Sequence, residues 1–142
     1  MQAYEFKKND SVGTPKELYD VLNKVFDFTY DPCPLHGTDG FTKTWGERSF
    51  VNPPYSEVAK WLQHIVKHKY SCAVLIPLRA HCKYWRDYVL PHHSQLFIFH
   101  RCVTFDGYNR GLPLTICLVT FFMDKKRIPY EESFCIKECT YN

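Results

Sequence analysis

The sequence lacks several features that would assign it to other protein classes. No apolar run approaches the ~18 residues of a membrane-spanning helix, and no secretory leader is evident. None of the seven cysteines forms a Cys-x-x-Cys pair, so we expect no metal site; a zinc site from Cys135, Cys139 and nearby histidines is the less favoured alternative. Internal repeats, low-complexity tracts and linkers are also missing. We therefore expect one cytoplasmic domain over 1–142 with reduced cysteines, in which 1–13 is a loose lead-in.

Charge and aromatic content leave the choice of partner open. The formal net charge is +3, which permits a polyanionic partner without requiring one. Aromatic residues make up 17% of the chain; we expect some of them in the core, but so many also suit stacking on planar ligands or bases. Composition is therefore compatible with nucleic-acid binding but does not establish it.

Hydrophobic periodicity predicts an α/β fold, because helical and strand patterns alternate along the chain. Thr14 and Ser56 are the expected N-caps of the first two helices. Only a loop separates the last two long strands, which we expect to form an antiparallel hairpin on a mostly parallel sheet. The predicted helices cover 15–26, 57–69 and 81–90, and the predicted strands cover 28–30, 49–51, 72–76, 95–100, 114–122 and, at one edge, 133–137.

Polar or turn-forming residues follow three of these strands where each strand ends. They are Asp31, Asn52 and the segment 77–79. In sheets of this class, ligands bind outside the carboxyl ends of the strands. The sequence therefore predicts a binding site at that edge.

The tetrapeptide Asn52-Pro53-Pro54-Tyr55 lies between a predicted strand and a predicted helix. The Asn52 side-chain oxygen and the Pro53 carbonyl can both accept hydrogen bonds from one planar amino group, and the Pro-Pro backbone is stiff. Two acceptors would aim the nitrogen lone pair at an electrophilic methyl group, while Tyr55 offers a ring for stacking. The alternative is a rigid strand-to-helix turn without chemistry. We favour the chemical interpretation because the motif is rare and sits at the right place.

These residues resemble the phage-type, Dam-like DNA adenine methyltransferases from about Thr14 to Phe122. The tetrapeptide is the most specific match, since it is the catalytic motif of amino-methyltransferases that use S-adenosylmethionine. The other segments match in order and are weak singly. They are Thr14-Pro15 with Leu18, Asp31-Pro32-Cys33-Pro34, Asp39-Gly40, Trp45, Phe50-Val51, Ser56, Trp61, Leu75-Ile76-Pro77 with Arg79, Trp85, Arg101 with Phe105, and the apolar run from Leu114.

The resemblance implies a compact Rossmann-like methyltransferase sheet and methyl transfer from S-adenosylmethionine to the exocyclic amine of adenine in DNA. The base would be flipped out of a duplex or taken from a single strand. A phage or viral source would place the protein in the host cytoplasm, and a homodimer is possible. By resemblance the catalytic residues are Asn52, Pro53, Pro54 and Tyr55, and the cofactor-lining residues are Thr14, Pro15, Asp31, Cys33 and Asp39. Arg79 and Arg101 are candidate phosphate contacts, with structural salt bridges as an equal alternative.

The chain departs from the general methyltransferase pattern upstream of the tetrapeptide. No glycine-rich loop follows Asp31, and little room remains before Asn52 for the strand whose terminal acid usually holds the ribose. Asp31 or Asp39 would have to replace that acid. We expect no separate recognition domain, so specificity would come from loops such as 106–113, from dimerisation or from a partner. RNA bases, a protein glutamine, or a non-catalytic binding module on a reduced scaffold remain alternatives.

Overall fold

The computed structural model describes residues 13–34, 40–99 and 115–123. This part of the chain forms a mixed α/β structure with one four-stranded sheet. The predicted edge strand over 133–137 lies outside it. The helices are α1 (Lys16–Phe26), α2 (Val58–His68) and α3 (Leu90–His92), and the strands are β1 (Ser49–Val51), β2 (Cys72–Pro77), β3 (His93–Ile98) and β4 (Ile116–Phe121).

The sheet is mixed, which corrects the prediction of a mostly parallel sheet. Its strand order is β1-β2-β4-β3. Among these four strands only β1 and β2 pair in parallel, whereas β4 pairs antiparallel with both β2 and β3. The predicted antiparallel pairing of the last two strands is confirmed, but β4 also enters the sheet beside β2. As a result β1, β2 and β3 run in one direction and β4 alone opposes them.

The core lies on both faces of the sheet. Every residue of β2 and β4 is buried, as expected for central strands covered on both sides. α1 contributes Phe26, which contacts Phe97 of β3, and Tyr19, which meets Phe50 of β1 edge to face. α2 packs against the segment after β2, and its Trp61 is 1% exposed.

Both predicted helix caps are wrong. α1 begins after Pro15, and no side chain hydrogen-bonds to its first turn as a cap. Ser56 lies inside a 3₁₀ turn, Tyr55–Glu57, and α2 begins only after Glu57. Thr14 contacts Asn52 instead of capping α1, and a 3₁₀ turn precedes α2. Local sequence patterns reveal neither feature.

Two other predicted elements differ in length or type. The strand expected over 28–30 is reduced to one parallel bridge between Tyr30 and Ser49. The helix expected over 81–90 contains a π-helical turn, Trp85–Val89, and continues through α3 past Pro91. Leu90 N–H bonds to the Trp85 carbonyl, five residues back. This wider turn carries the chain through a proline, which we expected to end the helix.

Candidate active site

Three chain segments leave the sheet at the same edge. Tyr30 is in a parallel bridge with Ser49, and β1 is parallel to β2, so their carboxyl ends point the same way. Asp31, Asn52 and Leu78 each follow one of these ends. The N–H of Leu78 donates to the Thr115 carbonyl at 2.8 Å, which ties this edge to the start of β4. The structure therefore brings together the three sequence positions that we expected to form a site.

The tetrapeptide forms a stiff turn from β1 into the helical segment. Pro53 is buried and Pro54 is half-buried, with φ of −55° and ψ of 132° at Pro54. The Pro54 carbonyl accepts a 2.9 Å hydrogen bond from the N–H of Glu57, which closes the 3₁₀ turn. This local geometry fixes the direction in which the backbone leaves Asn52.

Asn52 contacts the segment that precedes α1. Its Nδ2 donates a hydrogen bond to Oγ1 of Thr14 at 3.0 Å, across 38 positions of sequence. The residue is half-buried and its Oδ1 is covered by protein. The structure therefore joins a predicted catalytic residue directly to a predicted cofactor-lining residue. A planar amine reaches Oδ1 only if neighbouring groups move.

Tyr55 faces the core more than the solvent. The residue is 5% exposed and its hydroxyl is covered. Stacking of a base needs one open ring face, and this conformation offers little of it. The side chain therefore belongs to the hydrophobic core in this structure, and its use as a stacking platform requires the site to open.

Asp31 and Cys33 form a compact turn beside the tetrapeptide. Oδ1 of Asp31 accepts a 2.9 Å hydrogen bond from the N–H of Cys33. Asp31 is exposed as a residue, yet the surrounding protein partly desolvates its carboxyl. This desolvation raises the pKa of Asp31, while the Cys33 N–H opposes the increase. In the described part of the chain, no lysine or arginine forms an ion pair with this carboxylate.

Cys33 does not have the properties of a nucleophile. Burial raises the pKa of its thiol to about 12, and the carboxylates of Asp31 and Glu57 add to the increase. The thiol is therefore neutral at physiological pH, whereas thiolates are the reactive form. Nucleophilic catalysis by Cys33 is therefore disfavoured, and its cofactor-lining role stays a prediction.

The remaining predicted site residues are placed less closely. Pro15 is the N-cap of α1 and follows Thr14 directly. Arg79 is half-buried just beyond β2, and its carbonyl accepts a 2.9 Å hydrogen bond from the N–H of Cys82. Burial raises the pKa of Tyr84 to about 12, and the nearby Arg79 guanidinium works against that increase. Asp39, Arg101, the loop 106–113 and the cysteines of the alternative zinc site, Cys135 and Cys139, lie outside the described residues.

Two further side chains belong to this edge that the sequence did not suggest. Glu57 influences Cys33 electrostatically, and its position two residues after the tetrapeptide was a usable signal. Burial raises the pKa of Tyr19, with further contributions from the carboxylates of Asp31 and then Asp20. Tyr19 has no sequence signal of its own, because its closeness to Asp31 depends on how α1 packs.

The described residues contain neither a group arranged to hold a metal ion nor a membrane-spanning helix, and comparisons with known families and curated proteins found no match. Among residues 13–34, 40–99 and 115–123, no group of three or more side chains is arranged to hold a metal ion. No helix in the same ranges is long and apolar enough to cross a membrane. No protein-family model matches the chain, and no curated protein matches it either.

Proposed function

We propose that this protein transfers a methyl group from S-adenosylmethionine to the exocyclic amine of adenine in DNA. The observation that carries the proposal is the placement of Asn52-Pro53-Pro54-Tyr55 directly after β1, at the edge where Asp31 also ends its segment. In α/β sheets this edge is where ligands bind. The proposal includes a reduced Rossmann-like methyltransferase fold, in which β1, β2 and β3 share one direction.

The residues at this edge suit a cationic cofactor. The carboxylate of Asp31 is partly desolvated and lacks a described cationic partner. An opposite charge would offset that desolvation, and S-adenosylmethionine carries positive charge on its sulfonium and amino groups. Pro15 and Cys33 would line the same site, and the cofactor would supply an electrophilic methyl group.

The tetrapeptide would hold the acceptor amine. Oδ1 of Asn52 and the carbonyl of Pro53 would each accept one N–H, which turns the amine lone pair away from the protein and toward the methyl carbon. The new bond is C–N, the bond that breaks is S–CH₃, and the surplus proton on nitrogen leaves to water. The protein thus contributes alignment and needs no general base.

A second candidate is a module that binds cofactor or nucleic acid without catalysis. It is favoured by the burial of Oδ1 of Asn52 and of the Tyr55 ring, both of which a catalytic complex would have to uncover. The buried state fits catalysis only if binding opens the site, as happens in enzymes that close over their substrates. Acceptor amines in RNA or on a protein glutamine are further variants of the first candidate.

The decisive experiment measures methyl transfer and cofactor binding together. The protein and an Asn52→Ala variant are incubated with labelled S-adenosylmethionine and unmethylated DNA, with RNA and a glutamine peptide as parallel acceptors. Gln63→Ala, an exposed position on α2, is the control. Transfer to adenine by the parent and by Gln63→Ala, but not by Asn52→Ala, is the expected result. If the protein binds the cofactor but transfers a methyl group to no acceptor, the binding module becomes the preferred function and the enzyme is rejected.

A further inference from the structure

The hydroxyl of Thr14 does not perform the role that its sequence position suggests. A threonine just before a helix normally accepts a hydrogen bond from the first turn of that helix. Here the N-cap is Pro15, the first turn has no side-chain cap, and the Tyr19 N–H bonds to the Pro15 carbonyl. Oγ1 of Thr14 instead accepts the Nδ2 hydrogen bond of Asn52 at 3.0 Å.

We infer that Thr14 is a positioning residue, whose hydroxyl holds the carboxamide of Asn52 in the orientation that an acceptor amine requires. This inference rests on the proposed function. It gives Thr14 a role distinct from lining the cofactor, the role that the sequence resemblance implies.

The chemistry of a carboxamide explains why orientation matters. An asparagine end group has one acceptor oxygen and one donor nitrogen, which occupy opposite sides of the same carbon. An incoming amine can use only the oxygen, since a donor facing a donor repels. With Nδ2 hydrogen-bonded to Thr14, Oδ1 lies on the opposite side of the carboxamide carbon, where it can accept from the amine. A carboxamide turned over by 180° would present Nδ2 to the amine and block the reaction.

The local backbone makes Thr14 a firm anchor. A proline follows it, and the proline ring restricts the preceding residue to extended conformations. Threonine is also branched at Cβ, which limits the rotation of its hydroxyl. The position is half-buried, so water competes only partly for the hydrogen bond. The backbone and side chain of Thr14 therefore have little conformational freedom, and the hydroxyl holds the Asn52 carboxamide in a narrow range of positions.

The test compares Thr14→Val, which keeps the shape but loses the hydroxyl, with Thr14→Ser, which keeps the hydroxyl. We expect Thr14→Val to lower kcat by roughly tenfold or more, because small misplacements of reacting groups cost up to about a hundredfold. Its Kd for S-adenosylmethionine should stay within about twofold of the parent. Thr14→Ser should recover most of kcat. Thr14→Ala repeats the loss of the hydroxyl without a branched side chain, in case Thr14→Val fails to fold.

A spectroscopic measurement probes the hydrogen bond itself. The side-chain amide of Asn52 is assigned by NMR as the signal lost in Asn52→Ala. Thr14→Val should shift this signal and speed exchange of its protons with solvent, whereas Thr14→Ser should leave it near the parent position. An unchanged signal in Thr14→Val overturns the inference, because the hydrogen bond would not hold the carboxamide.

The outcomes separate this inference from the proposed function. If the parent transfers methyl groups and Thr14→Val retains its kcat, positioning by Thr14 is wrong and the enzyme assignment stands. If Thr14→Val loses activity only through a higher cofactor Kd, Thr14 lines the cofactor and does not position Asn52. If the parent transfers to no acceptor, the proposed function fails and the inference fails with it.

Discussion

At the scale of single residues, Gly40 occupies a place with no room for a side chain. A Cβ atom there would lie 2.6 Å from Cη2 of Trp61 and 2.7 Å from the Pro32 carbonyl oxygen. Pro32 belongs to the turn that carries Asp31, and Trp61 is part of the buried face of α2. Gly40 thus lets the segment after the Asp31 turn pack closely against α2.

Gly40→Ala should destabilise the protein by about 1–3 kcal/mol, the usual cost of overpacking a rigid site. Neither a buried indole nor a backbone carbonyl can yield easily. Urea unfolding followed by tryptophan fluorescence measures the change. Gly46→Ala is the comparison, since a Cβ atom there would lie 2.8 Å from Oγ1 of Thr29 and 3.0 Å from Cβ of Tyr30, both longer than the contacts at Gly40. Equal losses at the two positions would contradict the claim that Gly40 is the tighter one.

At the residue scale, the sequence singles out the tetrapeptide and its place directly after β1, but it does not reveal the contact that Asn52 makes with Thr14. The tetrapeptide was recognisable because its residue types and order are rare. The partner of Asn52 was not, because Thr14 lies 38 positions away and looked like a helix cap. A hydroxyl can satisfy either role, and only the packing of α1 against β1 decides between them. Pairings of this kind depend on tertiary structure that periodicity does not encode.

At the scale of elements, β3 begins with an irregular pairing to β4. The register shifts between His93 and Gln95. At this point Oγ1 of Thr120, a residue 1% exposed, accepts a 2.9 Å hydrogen bond from the N–H of Gln95. A side chain therefore takes part in the ladder where the strands change register.

Thr120→Val should cost about 1–3 kcal/mol, because it removes a buried acceptor from the Gln95 N–H and replaces it by a methyl group of similar size. Thr120→Ser keeps the acceptor and should lose only about 1 kcal/mol, the value of one buried methyl group. Denaturant midpoints of the two variants measure the difference. If Thr120→Ser were the less stable one, packing of the methyl would outweigh the hydrogen bond.

Elements with a long, regular pattern were predicted well from the sequence. α1, α2 and β2 lie within two residues of their expected bounds, because their apolar spacing repeats over two or more turns or fills a whole strand. The strand expected over 28–30 is one bridge because its length depends on the neighbour, β1, which is itself three residues long. Strand pairing partners are also nonlocal. The entry of β4 beside β2 could not be read from the pattern of either strand.

At the scale of the whole molecule, stability depends on pH through groups whose pKa changes on folding. His64 is one of them: desolvation lowers its pKa, and the nearby His68 and Lys67 lower it further. Its ring lies among Phe41 and Trp45, with centroid distances of 5.0 and 5.7 Å. The folded state therefore favours neutral His64 more than the unfolded state does.

The sign of the pH effect follows from this shift. As pH falls through about 6.5, the ordinary histidine value, His64 is protonated first in the unfolded state, so the free energy of unfolding decreases. In His64→Gln this contribution is absent, and the pH profile below neutrality should be flatter. Urea midpoints between pH 8 and 5 measure it, with His81→Gln as an exposed control. Parallel profiles for the parent and His64→Gln would show that His64 does not contribute.

Asp31 has the opposite effect on how stability depends on pH, and it belongs to the proposed site. Desolvation raises its pKa, so the ionised carboxylate weakens folding once the pH exceeds the unfolded value of about 4. Asp31→Asn retains an oxygen to accept from the Cys33 N–H but removes the charge. We therefore expect Asp31→Asn to be more stable than the parent at pH 7, with the difference vanishing below pH about 4.

Asp31→Asn should also weaken the binding of S-adenosylmethionine. The desolvated carboxylate of the parent attracts the cationic cofactor, and the neutral amide does not. Urea unfolding at pH 3.5 and 7 and calorimetric cofactor titration measure the two effects on one variant. Asp20→Asn on α1 is the comparison for charge removal: it breaks an exposed ion pair with Lys16, so it should lower stability only slightly and leave cofactor affinity unchanged. A gain in stability together with a loss of affinity would identify Asp31 as a residue kept for function at the expense of folding. A loss of stability at pH 7 would instead show that Asp31 has a structural cationic partner elsewhere in the chain.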